Sequence, residues 1–231
     1  MPISDVRLMD CMEFMKEFPD KFFDLAVVDV PYGIGASDWD ANESMFRKTD
    51  KWKGCKKSGY EIKGWDKEPP SKEYFVELFR VSKNQIVWGA NHFISRMPYD
   101  SPSWIVWDKK TSGNFSDCEL AWCSIGGSVK KFEWLWNGFQ KQKPEERFHP
   151  TQKPQALYFW VLQNYAKDGW KIVDTHLGSG SHRVAAYKLG LDFWATEIDK
   201  DYFEAQEKRF KEAINEPLFQ TQPTFIQSKL L

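Results

Sequence analysis

Short apolar runs alternate with amphipathic stretches along most of the chain, and this alternation predicts an α/β fold. Runs of strand length lie at 4–10, 22–28, 85–89, 104–107, 119–125, 171–173 and 193–196. Helical periodicity follows at 12–18, 72–81, 91–96, 155–166, 182–189 and 202–213. Strand–helix–strand units imply parallel strands joined by right-handed crossovers. The pattern therefore predicts a doubly wound, mostly parallel sheet with helices on both faces.

Two stretches, 33–70 and 126–148, show no clear period, and we interpret them as irregular insertions in a single domain that spans residues 1–231. Basic residues mix with aromatic residues in both, a composition that suits a phosphate backbone and exposed bases. A solvated loop, or a cover for the sheet edge, is the alternative. The candidate DNA-binding residues are Arg47, Lys48, Lys51, Lys53, Lys56, Lys57, Lys130 and Lys131.

The net charge and the cysteine content limit which ligands and which cellular compartment we expect for this protein. The formal net charge is −1, so any affinity for nucleic acid must come from local patches. The four cysteines have no zinc-like spacing, which predicts reduced thiols and no metal site. The N-terminus has no signal pattern, and no apolar run approaches the roughly 18 residues of a membrane span. We expect a cytoplasmic protein without membrane contact.

The strand at 22–28 ends on Asp29-Val30-Pro31-Tyr32. Proline fixes its own φ and holds the preceding residue extended, which leaves carbonyl groups of the turn free to accept hydrogen bonds. A carboxylate beside such carbonyls forms a pocket of acceptors, and the tyrosine ring offers a stacking surface. An exocyclic amine on a nucleobase fits this pocket, although an ordinary strand-to-loop turn would have the same sequence.

A second polar loop follows the strand at 171–173. Asp174 ends that strand, Gly178 and Gly180 allow a close approach of the backbone, and a helix N-terminus follows. Glu197 ends the next strand 23 residues later, near the spacing at which a carboxylate binds ribose hydroxyls. Arg183 stands where a dinucleotide site has its third glycine. This favours S-adenosylmethionine over a dinucleotide; a tight connection without a ligand is the alternative.

Together with His149-Pro150-Thr151-Gln152-Lys153-Pro154, the two loops resemble the DNA amino-methyltransferases of the permuted (beta) class. In that class the catalytic motif precedes the cofactor motif. The resemblance covers roughly residues 4–32, 72–125 and 149–212. It implies the class I methyltransferase fold, S-adenosylmethionine as cofactor, double-stranded DNA as partner, and methyl transfer to N6 of a flipped adenine.

The resemblance also implies roles for individual residues. Asp29 and a carbonyl of the turn at Pro31 would hold the amine, and Tyr32 would stack on the base. Glu197 would bind the ribose hydroxyls, and Asp10 the adenine amino group of the cofactor. The other expected cofactor contacts are Asp29, Thr151, Lys153, Asp174, His176, Gly178, Gly180 and Ser181. Asp10 as a helix cap, and Thr151 and Lys153 as caps of the next helix, are the simpler alternatives.

The sequence departs from the family pattern at two positions: Val30 replaces a proline, and His176 replaces a phenylalanine that packs near the reaction centre. We nevertheless expect an active adenine methyltransferase. Cytosine N4 methylation, a non-catalytic DNA-binding protein and a nicotinamide-dependent oxidoreductase are the alternatives. Asp29 favours adenine, because the cytosine enzymes tend to have serine there. We also expect a lone methyltransferase, of the restriction-modification type or carried by a phage, and family members often form homodimers.

Overall fold

The computed structural model describes residues 1–35, 64–111, 116–136, 141–143, 145–147 and 149–215. Its strands are β1 (Ser4–Leu8), β2 (Phe23–Val28), β3 (Ser82–Trp88), β4 (Trp104–Asp108), β5 (Cys118–Cys123), β6 (Lys130–Glu133), β7 (Lys171–Asp174) and β8 (Asp192–Glu197). Its helices are α1 (Cys11–Lys16), α2 (Lys72–Val81), α3 (Gln155–Tyr165), α4 (Ser181–Lys188) and α5 (Lys200–Asn215). None of the described helices is long and apolar enough to cross a membrane.

The described strands form one sheet in the order β1-β8-β7-β2-β3-β5-β4-β6. The first five are parallel to one another. β5 runs antiparallel between β3 and β4, and β6 joins the outer edge of β4 in parallel. The predicted α/β architecture with a mostly parallel sheet is confirmed.

Strand β2 is buried on both faces, and this explains its continuous apolar run. Leu25 and Val27 belong to a core cluster that includes residues of α3 and α4. Ala26 and Val28 belong to a second cluster, which includes residues of α1 and α2. Because successive side chains of a strand point to opposite faces, this one segment anchors both layers of helices. The sheet is therefore covered on both faces, as the sequence predicts.

The order of the strands reverses between β2 and β7. From β2 the chain passes through α2 to β3 on one side, and from β7 it passes through α4 to β8 on the other. The two strands pair directly, with Ala26 opposite Val173. In open α/β sheets, ligands bind beyond the carboxyl ends of the strands at such a switch point. The turn after β2 and the loop after β7 lie at this position.

Two segments differ from the sequence-based expectation. The stretch 126–148 is not wholly irregular, because Lys130–Glu133 forms β6 along β4. Only Phe132 of that strand is buried, so four residues with a single apolar anchor carry almost no periodic signal. The short helix expected at 91–96 is instead a pair of 3₁₀ turns, Ala90–His92 and Ile94–Arg96.

Candidate active site

The catalytic turn and the segment before α3 meet in a direct ion pair. Lys153 Nζ lies 2.5 Å from Asp29 Oδ1, across 124 residues of sequence. The lysine side chain is 3% exposed, and the carboxylate 16%. The family resemblance implies that Lys153 reaches the carboxylate of the cofactor. The structure places its ammonium group against Asp29 instead, while its backbone carbonyl accepts a hydrogen bond from Ser181 Oγ at 2.8 Å.

Tyr32 completes the catalytic turn. Its hydroxyl donates to Asp29 Oδ1 at 2.9 Å and accepts from Lys153 Nζ at 3.0 Å. The backbone of Gly89 lies close to its ring, so that a Cβ at this position would come within 2.0 Å of Cε1. The ring of His92 lies nearly parallel to the tyrosine ring, with 5.1 Å between centroids and 15° between planes. Tyr32 is therefore held by its hydroxyl and by its ring.

Two charged residues that the sequence analysis did not identify extend this network. Glu119 Oε2 lies 3.0 Å from Lys153 Nζ, and Glu119 Oε1 lies 2.5 Å from Lys109 Nζ. Glu119 belongs to β5, and Lys109 follows the end of β4. The sequence signal was a carboxylate inside an otherwise apolar strand, Cys118–Cys123. Such a charge needs a buried partner, but the partner is visible only in three dimensions.

Opposite charges decide the ionisation of this network. Burial would raise the pKa of Glu119, but the ammonium groups of Lys153 and Lys109 outweigh it and hold that pKa at about 2. Burial would lower the pKa of Lys153, and the carboxylates of Asp29 and Glu119 raise it instead. Burial raises the pKa of Asp29, against the opposing charge of Lys153. Glu119 and Lys153 are therefore charged at neutral pH.

Asp174 shapes the loop after β7 from inside the protein. Its Oδ1 accepts from the backbone N–H of His176 at 3.0 Å, and its Oδ2 lies 2.9 Å from His182 Nδ1. Asp174 and His182 are each 1% exposed, and the His182 ring stacks on Tyr158. Both carboxylate oxygens thus bond within the fold. His182, also missed from the sequence, fixes the first turn of α4 to the end of β7.

The glycine turn of this loop adopts the conformation that the sequence predicts. Gly178 and Gly180 have φ values of +52° and +70°, in the left-handed region. The Gly178 N–H donates to Glu197 Oε2 at 2.8 Å, and the Asp199 N–H donates to Glu197 Oε1 at 2.9 Å. Burial raises the pKa of Glu197. The structure thus brings the acidic end of β8 to the glycine turn.

Arg183 explains why this loop fits a pyrophosphate poorly. Its side chain packs on α5, where Nη1 donates to Gln206 Oε1 at 2.9 Å and pairs with Glu207. The guanidinium also lies over the Phe210 ring, 3.8 Å from its centroid. The position that is a third glycine in dinucleotide sites is thus filled by a packed side chain. The loop suits a nucleoside without a phosphate group.

His176 lies in a small hydrogen-bonded group at the start of the loop. Its Nδ1 is 3.0 Å from Thr175 Oγ1, which is 2.6 Å from the Tyr74 hydroxyl. The Tyr74 ring meets the imidazole edge-on at 5.4 Å. Burial lowers the pKa of His176 to about 4, against the charges of Asp174 and Asp10. The imidazole is therefore neutral at pH 7, as the phenylalanine of the family pattern would be.

Replacing His176 by phenylalanine is expected to make stability less sensitive to acid. Between pH 6.5 and about 4 the unfolded imidazole binds a proton that the folded one does not, so wild-type stability falls as pH falls through this window. Phenylalanine lacks this titration. Urea unfolding at pH 7.5 and pH 5 should show a larger loss for wild type than for His176→Phe. Equal losses in the two proteins would contradict the prediction.

Asp10 and Thr151 have structural partners in the fold. Asp10 Oδ1 accepts from the backbone N–H groups of Met12 at 2.8 Å and Glu13 at 3.2 Å, which is a helix N-cap. Thr151 Oγ1 lies 3.2 Å from His149 Nδ1. The His149 ring packs on Tyr202, 4.3 Å between centroids. Asp10 therefore caps α1 through Oδ1, and its contact with the cofactor stays a prediction.

A further link joins the glycine turn to the segment before α3. Arg209 Nη1 donates to the carbonyl of Ser179 at 2.7 Å and to Ser181 Oγ at 3.0 Å, and Arg209 also forms an ion pair with Glu145. The residues of this link come from α5, from the glycine turn and from the region around 145. No sequence spacing connects them, and our sequence analysis missed Arg209 and Glu145.

The predicted DNA-binding residues between 33 and 70, Arg47, Lys48, Lys51, Lys53, Lys56 and Lys57, lie outside the described residues. Lys130 and Lys131 lie on β6, the outermost strand, four places from β2 in the sheet order. Lys131 pairs with Glu133 on the same strand. These two lysines are exposed but are not part of the network around Asp29.

Comparison with known proteins shows similarity to DNA methyltransferases. Residues 122–208 match the family model N6_N4_Mtase, described as DNA methylase. The chain is similar to DNA amino-methyltransferases. It is 26% identical to the type II methyltransferase M.HinfI of Haemophilus influenzae over 88% of the chain and 67% of that protein. It is 28% identical to the type II methyltransferase M2.DpnII of Streptococcus pneumoniae over 90% of the chain and 89% of that protein.

Solved structures of DNA methyltransferases share the fold of this chain. The crystal structure of the M1.HpyAVI–SAM complex aligns with a TM-score of 0.53 at 16% identity, over 89% of the chain and 98% of that protein. PvuII DNA methyltransferase, cytosine-N4-specific, aligns with a TM-score of 0.57 at 11% identity, over 93% of each chain. The doubly wound sheet is therefore the class I methyltransferase fold, as the resemblance implies.

Proposed function

We propose that this protein transfers a methyl group from S-adenosylmethionine to the exocyclic N6 of an adenine flipped out of double-stranded DNA. One observation carries the proposal. Asp29 Oδ1 is held by Lys153 and Tyr32, while Oδ2 receives no hydrogen bond from any described residue. A buried carboxylate with one oxygen fixed and the other unengaged is suited to accept a hydrogen bond from a base amine.

The residues around the glycine turn fit the cofactor. Glu197 lies at the turn and carries a carboxylate of the kind that binds ribose hydroxyls. Next to it, Ile198 is 68% exposed and offers an apolar surface to an adenine ring. The packing of Arg183 on α5 engages its guanidinium away from any phosphate that could bind at this turn. When bound, S-adenosylmethionine supplies an electrophilic methyl group on a positively charged sulfur.

The network around Asp29 accounts for the activation of the amine. An adenine amino nitrogen is a poor nucleophile because its lone pair is conjugated with the ring. Asp29 and a carbonyl of the turn accept its two hydrogens and favour a tetrahedral nitrogen. Asp29 then takes the proton that the nitrogen loses as the N–C bond forms and the electrons of the C–S bond return to sulfur. Tyr32 stacks on the extruded base and offsets part of the few kcal/mol of unstacking.

The target base is the finer part of the proposal. Asp29 leads the catalytic motif in this sequence, and the resemblance associates aspartate there with adenine. Cytosine N4 is the second candidate, because the cytosine-N4-specific PvuII methyltransferase has the same fold. Both amines are exocyclic and need the same acceptors, so the chemistry of Asp29 serves either base. Reading of a specific site by the stretches 33–70 and 126–148 also remains a prediction.

The proposal is tested by analysis of the modified nucleoside. Purified protein is incubated with mixed-sequence duplex DNA and methyl-labelled cofactor, and the DNA is digested and analysed by mass spectrometry. We expect labelled N6-methyl-2′-deoxyadenosine. Labelled N4-methylcytosine would assign the protein to the second candidate. Cofactor binding by titration calorimetry without any label in DNA would overturn the catalytic proposal.

A further inference from the structure

Four buried or half-buried charges of alternating sign lead from the surface of the sheet to the catalytic turn. Lys109 contacts Glu119, Glu119 contacts Lys153, and Lys153 contacts Asp29, at 2.5, 3.0 and 2.5 Å. The row contains two ammonium groups and two carboxylates, so it is electrically balanced. Glu119 and Lys109 belong to none of the three motifs identified in the sequence. Their chemistry is therefore not explained by the proposed function.

The geometry of Lys153 shows what the row does. Its ammonium group lies over the rings of Tyr32 and Trp88, 5.4 and 5.6 Å from their centroids. It donates to Asp29 Oδ1, to the Tyr32 hydroxyl and to Glu119 Oε2. Three donors with three acceptors leave the ammonium one orientation. Glu119 supplies the third acceptor, and it is itself held by Lys109.

We propose that Glu119, anchored by Lys109, is a positioning residue that holds Lys153 against Oδ1 of Asp29 and thereby leaves Oδ2 to receive the base amine. The inference rests on the proposed function and deepens it. Glu119 contacts neither base nor cofactor in this scheme. It acts through Lys153, and its Oε2 also accepts a longer hydrogen bond from the Tyr32 hydroxyl at 3.4 Å. Because the carbonyl of Lys153 also accepts from Ser181, the same residue ties the carboxylate to the glycine turn.

The effect of Lys153 and Glu119 on the pKa of Asp29 provides a test. If Glu119 had a purely structural role, its removal would not change that pKa. The groups that face Asp29 are Lys153, Tyr32, Glu119 and, from α3, Tyr158. Lys153 is the positively charged member of this set. Its removal leaves two carboxylates near each other in a buried site, which raises the pKa of Asp29. Removal of Glu119 in the same protein takes away the second negative charge, which lowers the pKa of Asp29 again.

The experiment compares the pH dependence of kcat in Lys153→Met, Glu119→Gln and the double variant. In Lys153→Met we expect the acid limb of the plot of kcat against pH to shift to higher pH by about one to three units. In the double variant we expect the limb to move back down by at least half of that shift. Glu119→Gln alone is expected to lower kcat by about ten- to a hundred-fold with little change in KM for DNA. A limb that stays up in the double variant would overturn the proposal.

Glu77→Gln is the matched control, because Glu77 is half-buried like Glu119 and pairs with Arg80 on α2, outside the site. It should leave kcat and the acid limb unchanged. Tryptophan fluorescence confirms that each variant is folded. The Asp29 carboxyl is also titrated by carbon NMR, assigned by its absence in Asp29→Asn. An inactive wild-type enzyme would refute the proposed function, whereas an Asp29 titration insensitive to Lys153 and Glu119 would refute this inference.

Discussion

Asp29→Asn is expected to lower kcat for methyl transfer by about 10²–10⁴-fold, while the KM for the cofactor changes far less. Asparagine keeps the size of the side chain but removes the negative charge that accepts the amine proton. It also removes the charged partner of Lys153, so the ion pair between the ammonium group and the catalytic turn is lost. Steady-state kinetics with labelled cofactor and duplex DNA measure both constants, and calorimetry gives the cofactor affinity independently.

Asp24→Asn on the same strand is the matched control. Asp24 is also 16% exposed and also pairs with a lysine, Lys83, at 2.7 Å, but at the opposite end of β2 from the site. The variant is expected to lose some stability and to keep its kcat. If Asp29→Asn retained wild-type turnover, Asp29 would not be the acceptor of the amine. If both variants lost activity together, a general loss of folding would explain the effect.

Gly89→Ala is expected to lower kcat by at least a hundred-fold and to cost about 2–5 kcal/mol in the free energy of unfolding. Gly89 has φ +71°, which alanine adopts only with strain. Its new Cβ would lie 2.0 Å from Cε1 of Tyr32, so the ring must move. A displaced ring moves the hydroxyl away from Asp29 and the stacking surface away from the base. Urea unfolding and methylation kinetics measure the two effects.

Gly190→Ala separates backbone strain from displacement of the ring. Gly190 has φ +73°, and an added Cβ there meets no atom within 4 Å. The variant is expected to cost about 1–2 kcal/mol in the free energy of unfolding and to leave kcat unchanged. Equal losses of activity in the two variants would contradict a specific role for the contact between Gly89 and Tyr32.

The secondary structure was readable from the sequence where burial imposes a clear period. The prediction of a helix at 72–81 matches α2, Lys72–Val81, and the strands that flank the site lie where apolar runs predicted them. β6 was missed, because an edge strand of four residues with one buried side chain gives no period. The sequence alone also did not predict the order of the strands in the sheet, because pairing between strands that are distant in the chain gives no local sequence pattern.

The residues of the site also fall into those that the sequence predicted and those that only the structure revealed. Asp29, Tyr32, Gly178, Gly180 and Glu197 were predicted because each follows a strand, and the carboxyl ends of parallel strands meet at one edge. Other residues were found only from contacts across the fold: Glu119, Lys109, His182, Arg209 and Glu145. Each of these pairs with a charged or polar group from another part of the fold, 8 to 64 positions away in the chain, and no spacing rule identifies such partners.

The sequence by itself determined the alternation of strands and helices, the two polar loops and the chemical class of their residues. These properties depend on local periodicity and on residue type, and neighbouring residues in the sequence determine both. Only the tertiary structure decided that the ammonium group of Lys153 lies on Asp29, because that contact joins residues 124 positions apart. It also decided that Asp174 is paired inside the fold with His182. The direction of a buried side chain depends on what packs around it, and packing exists only in the folded chain.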